Sequence, residues 1–185
     1  MKHHLLLLLL AAMLFLPSAA SAGDAAAAEP DGYRMDEYRS PVPSTLRGAG
    51  VIGIREAERL WAEKAATFLD VMPRLPKPGS LPEGTIWRDK VRRNIPGSFW
   101  LANTGYGALT PEMERYFRDS LAALTSGDRS RRIVFYCMTN CWMSWNAAKR
   151  AVSWDYRAVT WFPEGADGWE AANLPLAEAL PFGAP

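Results

Sequence analysis

Arg132-Ile133-Val134-Phe135-Tyr136-Cys137-Met138-Thr139-Asn140-Cys141-Trp142-Met143-Ser144-Trp145-Asn146 is the stretch that decides the fold. Its first part is a continuous apolar run, the pattern of a central parallel strand buried on both faces. A polar loop with two cysteines follows, and from Ser144 to Val152 the composition turns helical. Strand, loop and helix in that order form half of a parallel α/β unit, and they put Cys137 at the carboxyl edge of a sheet, where open α/β folds bind ligands.

The surrounding sequence repeats the alternation. Upstream, Val51-Ile52-Gly53-Ile54 is a short strand candidate, and Ile54 to Ala66 carries Ala57, Leu60, Trp61 and Lys64 at helical spacing. Thr67-Phe68-Leu69-Asp70-Val71 reads as a second strand. Residues 72–84, with Pro73, Pro76, Pro78 and Pro82, read as a long surface loop. Pro111 to Leu124 is an amphipathic helix with Thr110 as its N-cap and proline at the favoured first position. Downstream, Ala158-Val159-Thr160-Trp161-Phe162 is the last clear strand. Strands alternating with helices predict an α/β fold with a parallel sheet and right-handed crossovers.

The N-terminus predicts the compartment. Lys2 precedes an apolar run from Leu5 to Leu16, which is too short for a membrane span of ~20 residues. Ala20-Ser21-Ala22 supplies the small-x-small pattern of a signal-peptidase site. Residues 1–22 are therefore expected to be a signal peptide, so the chain is expected in the periplasm with no membrane span after cleavage. Removing those 22 residues from 185 leaves 163, enough for one domain. Residues 23–49, rich in Ala, Pro and Gly, are expected to form an extended arm packed on the domain. The domain itself is placed at 50–176, with a C-terminal tail at 177–185.

Cleavage also narrows the chemistry. Without Lys2 the 21 basic residues fall to match the 20 acidic ones, and a neutral chain has no general field to attract nucleic acid. His3 and His4 are the only histidines, so the mature chain has no imidazole. That excludes Cys-His and Ser-His-Asp nucleophile systems and histidine-ligated metals. Two cysteines cannot supply a four-thiolate zinc or iron–sulfur site. No metal and no cofactor are expected.

The candidate catalytic residues are Cys137 and Cys141. Loop amides and a helix N-terminus lower a thiol's pKa without a histidine, which makes Cys137 the candidate nucleophile. In an oxidising compartment the pair can also be a purely structural disulfide. Met138, Thr139, Asn140, Trp142 and Met143 are the candidate binding residues around it. Trp142 is expected to be the exposed exception among Trp142, Trp145, Trp154, Trp161 and Trp169, which are otherwise read as core. Arg88, Lys90, Arg92 and Arg93 are read as a solvated surface cluster, with an acidic-partner contact as the alternative. Asp70 is read as structural, with the orientation of a neighbouring loop or a role as base as alternatives.

Several segments, in shared order, resemble the rhodanese family: Thr67 to Val71, Asn94-Ile95-Pro96-Gly97-Ser98, Val134-Phe135-Tyr136-Cys137, Asp155-Tyr156-Arg157-Ala158-Val159 and Gly165-Ala166-Asp167-Gly168-Trp169. The resemblance spans roughly residues 50–176, with Asn94 where that family often has histidine. The cysteine loop is similar to that of the secreted rhodanese-like proteins called PQQ-dependent catabolism-associated CXXCW motif proteins, although three residues separate the cysteines here. This resemblance implies a rhodanese-like fold and a periplasmic accessory role in PQQ (quinoprotein)-dependent alcohol oxidation, with a dehydrogenase or its cytochrome c as partner. Thiol–disulfide or persulfide handling through Cys137 and Cys141 is the first functional reading. A non-catalytic binding module that docks a dehydrogenase, a cytochrome or a small ligand is the alternative. A sulfurtransferase comes third, because the loop lacks the Gly and Arg that the family uses to hold a persulfide or thiosulfate.

Overall fold

The computed structural model describes residues 27–183. The expected signal peptide lies outside the described residues. In chain order the elements are β1 (Gly50–Val51), α1 (Ile54–Ala62), β2 (Thr67–Asp70), β3 (Arg92–Asn94), β4 (Phe99–Trp100), α2 (Pro111–Thr125), β5 (Ile133–Tyr136), α3 (Trp142–Ser153), β6 (Val159–Phe162), α4 (Gly165–Ala171) and β7 (Ala177–Ala179). Five strands form a parallel sheet in the order β1-β6-β5-β2-β4, and β3 pairs antiparallel with β7. The parallel sheet flanked by helices is the α/β architecture that the alternation of strands and helices predicts.

The sheet's alternation sorts the core into two halves. Ile133 and Phe135 face one side with Leu69, Val159 and Trp161, where Phe117 and Leu121 of α2 and Trp145, Ala148 and Ala151 of α3 cover them. Val134 and Tyr136 face the other side with Phe68 and Phe162, beneath Ala57 and Leu60 of α1 and Trp169 of α4. β5 is buried at all four positions, as its unbroken apolar run requires. Its register against β2 aligns Asp70 with Tyr136, so both strands end at one level and deliver Met72 and Cys137 to the same edge.

Several boundaries differ from those expected. Helix α1 stops at Ala62 because Lys64 takes a left-handed conformation. Helix α3 starts at Trp142, two residues earlier than its composition suggests, with Cys141 as its N-cap. Helix α2 is capped as expected, the Thr110 side chain accepting from the Met113 amide at 3.2 Å. The segment from 177 onward contributes β7, which pairs with β3, and Phe182 donates its amide to the Trp100 carbonyl at 2.9 Å. No helix among the described residues is long and apolar enough to cross a membrane.

The described part of the arm, residues 27–49, packs against the domain, and its seat is specific. Asn146 of α3 accepts from the Arg34 amide at 2.9 Å and donates to the Arg34 carbonyl at 2.9 Å. Trp145 Nε1 donates to the Thr45 carbonyl at 3.1 Å, and Lys149 Nζ to the Pro30 carbonyl at 3.0 Å. The arm thus runs along α3 and over its N-terminus.

Candidate functional site: a buried cysteine pair at the sheet edge

Cys137 follows β5 directly and Cys141 caps α3, and a disulfide joins them with the Cα atoms 6.2 Å apart, inside the range that a bridge needs. The left-handed Asn140 (φ 54°) turns the loop back so that this short span can close; asparagine tolerates that conformation better than most residues. Both cysteines are out of solvent, Cys137 at 0 % and Cys141 at 2 % exposure.

Different parts of the chain cover each cysteine. Arg39 of the arm forms an antiparallel bridge with Cys141, and the Trp142 amide donates to the Tyr38 carbonyl at 2.9 Å. Trp142 Nε1 donates to Ser40 Oγ at 2.9 Å. On the other flank the Met72 thioether sulfur lies 3.6 Å from Cys137 Sγ, and Met72 itself is half-buried.

Trp142 corrects the expectation of an exposed indole: it is 2 % exposed, stacked edge-on against Trp145 with centroids 5.4 Å apart. The arm's Arg34 guanidinium lies 5.4 Å from the Trp142 ring centroid. Met143 is buried in the first turn of α3, whereas Met138 is half-buried and Thr139 and Asn140 are exposed. Of the candidate binding residues, the loop itself presents Met138, Thr139 and Asn140, while Trp142 and Met143 face inward. A groove of about 420 Å³ does remain beside Trp142, walled by Tyr33, Arg34, Met35 and Asp36 of the arm.

The loop's electrostatics differ from the open cradle that the sequence suggests. The Thr139 amide donates to Asp167 Oδ1 at 2.6 Å, and Thr139 Oγ1 donates to the Glu164 carbonyl at 2.7 Å. The Trp142 amide is spent on Tyr38. An anion entering this loop must displace the Asp167 carboxylate from Thr139 before it can use that amide. The loop is further tied to α4 by the Ala166 amide, which donates to the Cys137 carbonyl at 3.0 Å. Gly165 makes this approach possible: its φ is +62°, and a Cβ there would meet the Met138 backbone at 2.5 Å.

Two residues read from sequence as peripheral belong to this site. Asp70 is fully buried, and Arg92 Nε donates to its Oδ2 at 2.6 Å. Arg92 Nη2 also reaches the Cys137 carbonyl at 3.4 Å. Arg92 is therefore not part of a solvated cluster: its side chain is largely buried, while Arg88, Lys90 and Arg93 are exposed. The second Asp70 oxygen accepts from the Met72 amide at 2.9 Å, so Asp70 orients the loop that carries Met72. Burial raises the Asp70 carboxyl above its ordinary range, although Arg92 and the Met72 amide pull it down. Tyr136, also buried, is pushed well above the usual phenol range by burial and by Asp70. Its hydroxyl accepts from the Ile95 amide at 3.0 Å and donates to Ser98 Oγ at 2.7 Å. Asn94 is buried too, and its amide nitrogen has no hydrogen-bond partner.

Among the described residues no cluster of three or more His, Cys, Asp and Glu side chains is placed to hold a metal. No family model matches the chain, and no curated protein matches it either. Among solved structures it is similar to a complex of EanB with hercynine, with 21% identity and a TM-score of 0.48, covering 77% of this chain and 34% of that one. The chain thus spans about a third of the length of EanB. It is similar to the polysulfide-sulfur transferase homodimer of Wolinella succinogenes, at 15% identity and TM-score 0.42, covering 70% of this chain and 79% of that one. An uncharacterized protein from Saccharomyces cerevisiae shares 17% identity at TM-score 0.41, covering 67% and 92% of the two chains.

Proposed function

We propose that this chain is a periplasmic rhodanese-like accessory protein that handles thiol–disulfide or persulfide chemistry through Cys137 and Cys141. Its partners would be a PQQ-dependent alcohol dehydrogenase or the associated cytochrome c. The observation that carries the reading is the placement of the bridge: it links the end of the central strand to the N-cap of a 12-residue helix. The positive end of that helix stabilises a thiolate on Cys141 when the bridge opens.

The exchange balances without a cofactor. A dithiol reductant first opens the Cys137–Cys141 bridge and leaves as its own disulfide; the Cys137 thiolate then attacks one sulfur of a partner disulfide and expels the other as a thiolate. The Cys141 thiolate then attacks Cys137 Sγ, expels the remaining partner thiolate and reforms the intramolecular bridge. Two electrons pass to the partner. A persulfide on Cys137 resolves in the same way, with hydrosulfide as the leaving group. The Asp167 carboxylate on the Thr139 amide, together with the absence of an arginine from the loop, disfavours a thiosulfate-type oxyanion and hence an ordinary sulfurtransferase.

The deep burial of both cysteines favours a second reading, a binding module in which the bridge only closes the loop. The reduction potential of the pair separates the two. Exchange chemistry predicts a value between about −120 and −230 mV, whereas a structural bridge reduces only below about −300 mV. Under the first reading Cys141→Ser also traps a covalent partner adduct through Cys137, and failure to recover one from periplasmic extract argues for the second.

A further inference from the structure

The disulfide has a third sulfur beside it. Met72 Sδ lies 3.6 Å from Cys137 Sγ, held there because Asp70 accepts from the Met72 amide at 2.9 Å and is itself fixed by Arg92. Three sulfurs bound to one ion at the ~2.3 Å typical of metal–thiolate bonds sit about 4 Å from one another. The Met72–Cys137 separation already approaches that spacing. Opening the bridge frees the Cys141 sulfur to move to the third corner.

We infer that the reduced protein holds a Cu(I) ion between the Cys137 and Cys141 thiolates and the Met72 thioether. Two thiolates and a thioether form a soft ligand set, which selects Cu(I) over the hard divalent cations. Low coordination by three sulfurs needs no imidazole, so the lack of histidine among the described residues is no obstacle. The two thiolates and one monovalent ion leave one net negative charge, which lies at the N-cap of α3, where the helix dipole favours it. The surrounding core of Trp142, Met143 and Val71 keeps water from competing for the ion. Half-buried Met72 is the most exposed of the three ligands, so it is the point of entry.

A dithiol reductant gives two electrons and two protons to the bridge and leaves as its own disulfide. Cu(I) then binds, and the two cysteine protons are released to solvent; copper keeps its oxidation state. The inference requires that the bridge can be opened, but not that it exchanges with a partner protein.

The test is anaerobic titration of the purified protein, pre-reduced with a phosphine and freed of it, with Cu(I) against a chromogenic Cu(I) chelator. X-ray absorption at the copper edge then counts the sulfur neighbours. One equivalent bound by the reduced protein, none by the oxidised protein and three sulfur neighbours are expected. Losing even an outer partner of a metal ligand costs about 10- to 100-fold in affinity. Met72→Leu, which preserves volume, should therefore weaken binding by at least about tenfold and lower the sulfur count to two, while Cys137→Ser abolishes binding. Three results overturn the inference: a bridge that excess phosphine leaves closed, a reduced protein that takes no copper from the chelator, or a Met72→Leu variant with unchanged affinity and sulfur count. Because the probe is the metal alone, failure of partner exchange leaves these outcomes unaffected.

Discussion

Arg92 and Asp70, on different strands, form a buried ion pair at 2.6 Å whose free guanidinium nitrogen reaches the Cys137 carbonyl. Removing one partner of such a pair costs about 3–5 kcal/mol, because the other is left charged and uncompensated. Arg92→Ala is therefore expected to destabilise strongly, while Arg92→Ala combined with Asp70→Asn recovers much of the loss in denaturant melts. A double variant no more stable than Arg92→Ala alone would show that the pair is not the cause.

The same pair carries a pH signature. The folded Asp70 carboxyl is raised by burial above the ~3.9 of an unfolded aspartate. A raised acid contributes stability that is present below the unfolded value and lost as pH climbs through the folded value. Arg92 limits that loss by lowering the folded value. In Arg92→Ala the loss should extend to higher pH, so the gap from the parent protein widens between about pH 4 and pH 7. Equal gaps at the two pH values would contradict this assignment.

Asn146 anchors the arm by two bonds to Arg34 and ties it to the Gly105 carbonyl by a third. Its replacement by alanine leaves backbone groups unpaired at about 1–3 kcal/mol. If the arm shields Cys141, that loss appears as faster opening, about tenfold per 1.4 kcal/mol. Stopped-flow or quenched reduction by dithiothreitol should then run faster in Asn146→Ala than in the parent. An unchanged rate would mean that the arm does not control access.

Gly165 is the pivot of the cysteine loop. Gly165→Ala combines a left-handed backbone, which costs a residue with a Cβ about 1–2 kcal/mol, with contact against the Met138 backbone. A total loss above ~2 kcal/mol is expected, together with a shift in the reduction potential of the pair. Thermal melts and redox titration of the variant read both.

Tyr136→Phe keeps the ring but orphans the Ile95 amide, which the hydroxyl accepts at 3.0 Å. A buried unsatisfied donor costs about 1–3 kcal/mol, measurable as a lower denaturation midpoint. Burial holds the phenol above its usual range. Burial also raises Tyr106 and Tyr116, so ultraviolet titration of the folded parent should show three late-ionising tyrosines, and Tyr136→Phe should reduce them to two.

The strands at residues 67, 133 and 159 were legible because burial on both faces leaves an unmistakable apolar run. The cysteine loop was legible because its strand points it at the sheet edge. β3 was not: Arg92-Arg93-Asn94 has no apolar alternation, and its partner Ala177-Glu178-Ala179 lies at the far end of the chain. Arg92 looked like one of four surface cations because its partner Asp70 stands 22 residues away, beyond any local spacing rule. Trp142 reads as exposed because its local partner Trp145 covers it on one side alone; the rest of the cover is Tyr38-Arg39-Ser40, about a hundred positions earlier. Met72 carries no local signal for the same reason, since a thioether becomes a ligand candidate only when folding sets it against a thiol.

That distance along the chain orders events during biosynthesis. Arg34 is made long before Asn146, 112 residues later, so the arm leaves the ribosome first and finds its seat last. Until α3 has formed, the anchors that Trp145 and Asn146 offer to Thr45 and Arg34 do not exist. The two cysteines, four positions apart, can meet as soon as their own loop turns. In the periplasmic location proposed above, an oxidising enzyme would therefore have an open interval in which to join them, and that interval closes when the arm settles. Oxidation during maturation and reduction in the finished protein then follow different routes, one over an unprotected loop and the other only after part of the finished structure has come away.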